Sequence, residues 1–150
     1  MKKTWLILAL CALALLLCGC GETGGKKPLK DAVKAAVTGA DELVAASQED
    51  LADLMGIEAE EYDEFVYLTS ADGLSAREVV ALRAKDEDAK WDVFEKLNVY
   101  LSRRRRETRD YLPDQYEILI RSRVEYSGNT VALIVGDNAQ EEMRKLLAGE

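Results

Sequence analysis

An uncharged run of fourteen residues near the amino terminus, 4–17, constrains this chain more than any other feature. Two lysines, Lys2 and Lys3, precede the run, and glycine and charged residues follow it. A basic start followed by an apolar stretch is the layout of an export signal. Even when it is extended to Cys20 the run has only seventeen residues, whereas a helix needs about 20 apolar residues to cross a bilayer. We therefore expect an export signal here, with folded structure beginning only beyond it.

The end of the run reads Leu17-Cys18-Gly19-Cys20, which resembles the lipobox of bacterial lipoproteins. In a lipobox the cysteine thiol receives a diacylglyceryl group, and the chain is cleaved just before that cysteine. Cys20 follows two small residues, whereas Cys18 would have the large Leu17 at a small-residue position. The resemblance implies a cleaved signal peptide at 1–19 and lipid attachment at Cys20. The alternatives are an ordinary signal peptide with incidental cysteines and a short anchor helix.

The cysteines and the absence of histidine narrow the chemistry open to the mature chain. If the lipobox is used, Cys11 and Cys18 leave with the signal peptide and Cys20 becomes a thioether, so no thiol remains for a disulfide or a metal. The sequence contains no histidine, the commonest general base and metal ligand. Nucleophile systems built on a Ser–His or Cys–His pair are therefore excluded. We predict no catalytic residue, no metal and no cofactor.

Acidity limits the partners of the chain. Without residues 1–19 the chain has 131 residues and a formal net charge of −10, against −8 for the full length. Polyphosphate backbones would repel such a domain, so we expect no binding to nucleic acid. Anionic headgroups would repel it as well, so lipid rather than electrostatics would hold it at a membrane.

The residues after the signal divide into a tether and one domain. Residues 20–28 begin with the lipidated cysteine, are rich in glycine and charge, and predict a flexible tether. Residues 29–150 are enough for a single globular domain with its own core. Apolar residues at helical spacing predict a first helix from Leu29, and Ser47 is placed to cap a short second helix that Gly56 ends.

Three more helices are predicted in the second half of the chain. The longest runs from Asp86 to Tyr111, with a core stripe of Trp91, Phe94, Leu97 and Leu101. Pro113 interrupts it and lies in the first turn of a second helix. Asp137 is predicted to cap the last helix, whose apolar face comprises Ala139, Met143, Leu146 and Leu147.

Two β-hairpins are predicted. Residues 64–70 are β-branched and aromatic enough for a strand. Residues 75–85 are ambiguous, because Ser75 could cap a helix, but their alternation favours a strand that pairs back onto 64–70. The second hairpin turns at 127–129. The sequence thus predicts an α+β fold, an antiparallel sheet of about four strands with helices packed on one face.

Four stretches of the chain resemble, in order, successive blocks of one family: LADLMGIEAEEYDEFVYLTS, SAREVVALRAKD, YLPDQYEIL and GNTVALIVGDNA. The family is the bacterial lipoprotein family catalogued as domain of unknown function 4358, and the resemblance covers about 45–148. The resemblance rests on the order and spacing of the four blocks, since no single block is a specific motif. It implies a small lipid-anchored α+β domain outside the cytoplasmic membrane, with no assigned activity and no catalytic residues to transfer.

The arginine run at 103–106 and the neighbouring tyrosines are the candidate interaction residues. Consecutive helical residues turn by about 100°, so the arginines spread around the helix. Two i,i+4 pairs are predicted, Arg103–Glu107 and Arg106–Asp110. Arg105 and Arg109 lack such partners and could bind a phosphate-bearing envelope polymer or an acidic protein face. Tyr111 and Tyr116 bracket the helix break and could line a ligand groove. A solvated helix and locally satisfied tyrosines are the simpler interpretations.

Acidic clusters at 58–64 and 86–88 raise the question of a calcium site. Calcium prefers carboxylate oxygens, but neither cluster has the frame of a formed calcium loop. Surface acidity explains the first cluster, and favourable charge at a helix N-terminus explains the second.

These features favour a non-catalytic, lipid-anchored binding or accessory protein on the outer face of the bacterial cytoplasmic membrane. Its membrane contact would be the N-terminal diacylglyceryl group, and its partner an envelope protein or a cell-wall polymer. One alternative is a carboxylate-dependent enzyme acting on cell-wall glycan or peptide, which an acidic pair in a deep pocket would favour. The other is a structural envelope protein, which an exposed apolar patch would favour.

Overall fold

The computed structural model describes residues 26–150, so the predicted export signal and residues 20–25 of the predicted tether lie outside the described part. The helices are α1 (Leu29–Ala36), α2 (Gln48–Met55), α3 (Glu87–Thr108), α4 (Pro113–Arg121) and α5 (Ala139–Leu147). The strands are β1 (Val44–Ala45), β2 (Tyr62–Thr69), β3 (Glu78–Ala84), β4 (Val124–Ser127) and β5 (Thr130–Val135). All pairings are antiparallel, in the order β1-β2-β3-β5-β4. The predicted α+β fold is confirmed, with five strands instead of about four.

The ambiguous segment at 75–85 is a strand. β3 pairs with β2 on one side and with β5 on the other, which places it at the centre of the sheet. Every residue of β3 except Arg83 is buried. The near-continuous burial explains the ambiguity, because a strand covered on both faces loses the alternation of apolar and polar residues that identifies a half-exposed strand.

Helices cover both faces of the sheet, so the expectation that they pack on one face is wrong. On one face, α2, α3 and α4 enclose a core that includes Leu51, Leu82, Leu97, Leu119 and Leu133. On the other, α1 and α5 enclose a second core that includes Leu29, Val33, Ala81, Ile134, Met143 and Leu146. The error has a physical cause: β3 and β5 are apolar at successive positions, so neither of their faces can be left to solvent.

The local capping signals were mostly sufficient to place helix starts. Ser47 and Asp50 form the predicted capping box, with 2.8 Å between the Ser47 amide and the Asp50 carboxylate. Asp86 caps α3 by accepting a 2.8 Å bond from the Ala89 amide, and Pro113 is the first residue of α4. The predicted cap at Asp137 is wrong, since α5 starts one residue later, after Asn138, without a side-chain cap bond.

The core stripe of α3 differs from the prediction at Trp91. Leu97 and Leu101 are buried as expected and Phe94 is half-buried, but Trp91 is 44% exposed. Its ring packs edge-on against Tyr126 of β4, with 5.0 Å between ring centroids. Two further side chains, Val93 and Tyr100, complete the buried apolar face of α3.

Candidate functional site

The break between α3 and α4 forms a groove against the loop that joins β2 and β3. The cavity has a volume of about 170 Å³ and is lined by Gly73–Ala76, Arg104, Glu107, Thr108, Tyr111, Leu112 and Gln115. Gln115 of α4 accepts a 2.7 Å hydrogen bond from the Ala76 amide, and Asp72 accepts bonds from the Leu74 and Ser75 amides. The Gln115 bond holds the loop against the helix break, and the Asp72 bonds order the loop itself. We call the cavity the break groove.

A buried polar cluster is centred on Glu78 of β3, two residues beyond Ala76 of the groove lining. The Glu78 carboxylate is 1% exposed, and the Tyr100 hydroxyl donates a 2.6 Å hydrogen bond to its Oε1 atom. The Tyr67 hydroxyl interacts with both groups. Oε2 of Glu78 and Nε of Arg104 are buried without a hydrogen-bond partner among the described residues. Four residues from β2, β3 and α3 thus form one cluster, whose arginine also lines the break groove.

Burial raises the pKa of the Glu78 carboxyl above its ordinary value of 4.5, an effect that the hydrogen bond from Tyr100, the positive charge of Arg104 and the nearby Tyr67 hydroxyl only partly offset. Burial also raises the pKa of the Tyr67 and Tyr100 hydroxyls, and the neighbouring carboxylate adds to that effect. Both tyrosines therefore stay protonated at neutral pH and can act as hydrogen-bond donors to Glu78.

The raised pKa of Glu78 predicts a specific dependence of stability on pH. At pH values between the pKa of Glu78 in the unfolded chain and its higher pKa in the folded chain, the folded chain keeps a proton that the unfolded chain has lost. The contribution of Glu78 to the free energy of unfolding therefore falls as pH rises. Urea unfolding at several pH values should show wild type losing stability relative to Glu78→Gln as pH rises above about 4.5, until a plateau above the folded pKa. The same comparison with Glu107→Gln, an exposed carboxyl of the groove, controls for general charge effects. A constant difference between wild type and Glu78→Gln would contradict the assignment.

The structure brings one of the four candidate interaction residues into the break groove. Tyr111 lines it and is 84% exposed, whereas the half-buried Tyr116 is not part of its lining.

Arg105 donates from Nε to the Leu119 carbonyl at 3.0 Å and from Nη2 to the Ser122 carbonyl at 2.7 Å, which secures the C-terminus of α4. Arg109 pairs with its exposed neighbour Asp110 at 3.1 Å. Both arginines therefore have partners that the sequence did not predict.

Arg104 is the groove residue that sequence reasoning missed. It lies seven positions after Leu97 and four after Tyr100, so it falls on the buried face of α3. Arg105 likewise lies four positions after the buried Leu101, so this spacing distinguishes Arg104 and Arg105 from Arg103 and Arg106. Of the two predicted i,i+4 pairs, Arg103–Glu107 is present at 3.9 Å, while Asp110 pairs with Arg109 instead of Arg106.

The acidic clusters have structural roles. Glu61 pairs with Lys96 at 2.6 Å and Glu64 pairs with Arg83 at 2.7 Å, and Asp86 caps α3. Within residues 26–150, no group of three or more carboxylates is arranged to hold a metal ion.

The lipobox residues Leu17, Cys18, Gly19 and Cys20 lie outside the described residues. Among the helices that the structure describes, none combines the length and the apolar character needed to span a bilayer.

The sequence of the described domain matches one family model. Residues 36–136 match the family described as domain of unknown function (DUF4358). The chain belongs to this family. The match extends from the last residue of α1 to the end of β5, so it includes the break groove, the Glu78 cluster and all of α3. No curated protein and no solved structure matches the chain. The family predicted from the sequence is confirmed, and lipid attachment stays a prediction.

Proposed function

We propose that this chain is a non-catalytic, lipid-anchored binding protein on the outer face of a bacterial cytoplasmic membrane, and that it binds an anionic ligand in the break groove. Anchoring rests on the lipobox at 17–20. Two acyl chains on Cys20 would give stable attachment, because a single chain binds membranes only marginally. The tether at 20–28 would then hold the groove within reach of the cell envelope.

The observation that carries the binding proposal is the composition of the break groove. Arg104 supplies a positive charge in the groove lining, and its Nε, which is itself buried, has no hydrogen-bond partner in the described chain. Ser75, Thr108 and Gln115 add hydroxyl and amide groups, and the exposed ring of Tyr111 provides an apolar wall. Arginine binds phosphate and carboxylate groups well, because its planar guanidinium offers several donors in fixed geometry. A phosphate-bearing envelope polymer has the required chemistry.

Two features support a binding role over the enzyme alternative. The buried carboxyl with a raised pKa, Glu78, is not part of the groove lining. Its carboxylate accepts a hydrogen bond from Tyr100, and Tyr67 and Arg104 lie nearby, whereas glycosidases place a second carboxyl about 5–9.5 Å from the first across the scissile bond. The groove lining itself contains one carboxyl, that of Glu107.

A photocrosslinker at Tyr111 tests the binding proposal in intact cells. With a benzophenone amino acid at position 111, we expect irradiation to give a slow-migrating crosslinked product that Arg104→Gln diminishes. The same photocrosslinker at Tyr126, which is 45% exposed on β4, is the matched control. Sensitivity of the product to hydrofluoric acid, which cleaves phosphodiesters, would identify a phosphate-bearing polymer. A product that resists hydrofluoric acid and yields peptides of a second protein would identify a protein partner. The absence of any product specific to position 111 would contradict the proposal.

A further inference from the structure

The solvent side of α3 carries a regular stripe of exposed residues. Its members recur at alternating spacings of four and three on the side opposite the buried residues: Asp88, Asp92, Glu95, Val99, Ser102 and Arg106. Such spacing keeps side chains on one face of a helix and is the spacing of helix–helix contacts. We call these six residues the outer stripe. Three of them, Asp92, Glu95 and Val99, line a cavity of about 420 Å³ between α2 and α3, together with Leu54.

The charges of the outer stripe are segregated along the helix. The three stripe members that precede Val99 are acidic, and the charged stripe member that follows it is Arg106. Arg103 lies beside the stripe, on the same half of α3 as Arg106, and is partly exposed. Within the described chain, Asp92, Glu95 and Arg106 take part in no ion pair. Val99 at the centre is 62% exposed.

We propose that two copies of this chain associate through the outer stripes of their α3 helices, antiparallel and with Val99 near a two-fold axis. The sequence spacing is symmetric about Val99: Glu95 and Arg103 lie four positions to either side, and Asp92 and Arg106 lie seven. In an antiparallel pair, each residue faces its counterpart on the other side of the axis. Glu95 then meets Arg103 of the second copy and Asp92 meets Arg106, and the symmetry makes each pair twice.

A second copy fits this surface better than another partner because the surface is its own complement. A cationic partner would meet arginines at one end, an anionic partner would meet carboxylates at the other, and a parallel copy would oppose like charges. Leu54, which is 43% exposed beside the stripe, would be covered by the second helix. Arg103 can keep its bond to the Leu54 carbonyl, since a guanidinium has five N–H donors.

The contact is expected to be weak and salt-dependent in solution. Exposed ion pairs contribute little individually, and salt screens them. Association measured by sedimentation equilibrium should therefore fall as ionic strength rises, in contrast to an interface built on apolar burial, which salt does not weaken.

A cysteine at the proposed axis provides the decisive test, made with the full-length chain in intact cells under mild oxidation. Val99→Cys should form a disulfide between copies, above the background of the wild-type chain with its natural cysteines. The control is Asp88→Cys, on the same stripe but eleven residues from the axis. The two copies of residue 88 would lie about 33 Å apart, so this variant should not crosslink. Equal crosslinking of both variants, or none of either, would overturn the proposal.

Charge reversal in the Val99→Cys background tests the pairing itself. Adding Asp92→Arg replaces two attractive contacts with two repulsive ones and should lower the crosslinked yield about tenfold. Adding Arg106→Asp as well swaps the charges and should restore the yield. Both residues are exposed, so neither change should unfold the domain. If Asp92→Arg leaves the yield unchanged, or if the double change fails to restore it, the antiparallel register is wrong.

Discussion

Replacing Cys20 with alanine is expected to abolish lipid attachment and to leave the signal peptide uncleaved. The proposed modification forms a thioether, which needs the sulfur of this one residue, and cleavage depends on that modification. In cells fed a labelled fatty acid, the variant should carry no label and should migrate as the full-length chain of 16.7 kDa. Cys18→Ser is the matched control, because it retains a small residue two positions before the acceptor and should be labelled and processed normally. A labelled and shortened Cys20→Ala product would contradict the assignment.

Replacing Leu97 with alanine is expected to lower the free energy of unfolding by about 2–5 kcal/mol. Leu97 is fully buried in the centre of α3, where it packs in the core beneath the sheet. Removal of its side chain leaves a cavity that the surrounding residues can fill only in part. Ile120→Ala on α4 is the control: this side chain is 41% exposed, so the loss should be nearer about 1 kcal/mol. Urea unfolding of both variants measures the difference, and equal losses would contradict the layered arrangement.

The parts of the fold that the sequence predicted are those with a local chemical cause. Ser47 caps α2 through a residue three positions on, and Pro113 starts α4 because it lacks an amide hydrogen that this position does not need. The turn before Thr130 follows from Gly128, whose φ of 54° suits glycine. Each of these signals acts within a few residues and needs no knowledge of the rest of the chain.

The parts that the sequence did not predict depend on distant contacts. β1 has only two residues and exists because Val44 and Ala45 pair with the end of β2. Trp91 has the spacing of a core residue, but it packs against Tyr126 of a hairpin 35 positions later. The coverage of both sheet faces depends on where α1 and α5 dock, which no periodicity within either helix reveals.

The candidate site was predicted only in part for the same reason. The sequence predicted the helix break and a groove role for Tyr111, because Pro113 marks the break and the tyrosine adjoins it. Glutamate is seldom fully buried, so the sequence alone does not predict the burial of Glu78 on β3, where the Tyr100 hydroxyl of α3 donates a hydrogen bond to it. Arg104 is recognisable as a groove residue only when it is known which face of α3 is buried, because Arg104 lies on that face.

Mass spectrometry of the native chain recovered from cells is the most direct test of lipid attachment at Cys20. We expect a polypeptide that begins at Cys20, carries a diacylglyceryl group on that sulfur and is found in the membrane fraction. A chain that still begins at Met1, or an unmodified shortened chain released into the medium, would contradict that expectation.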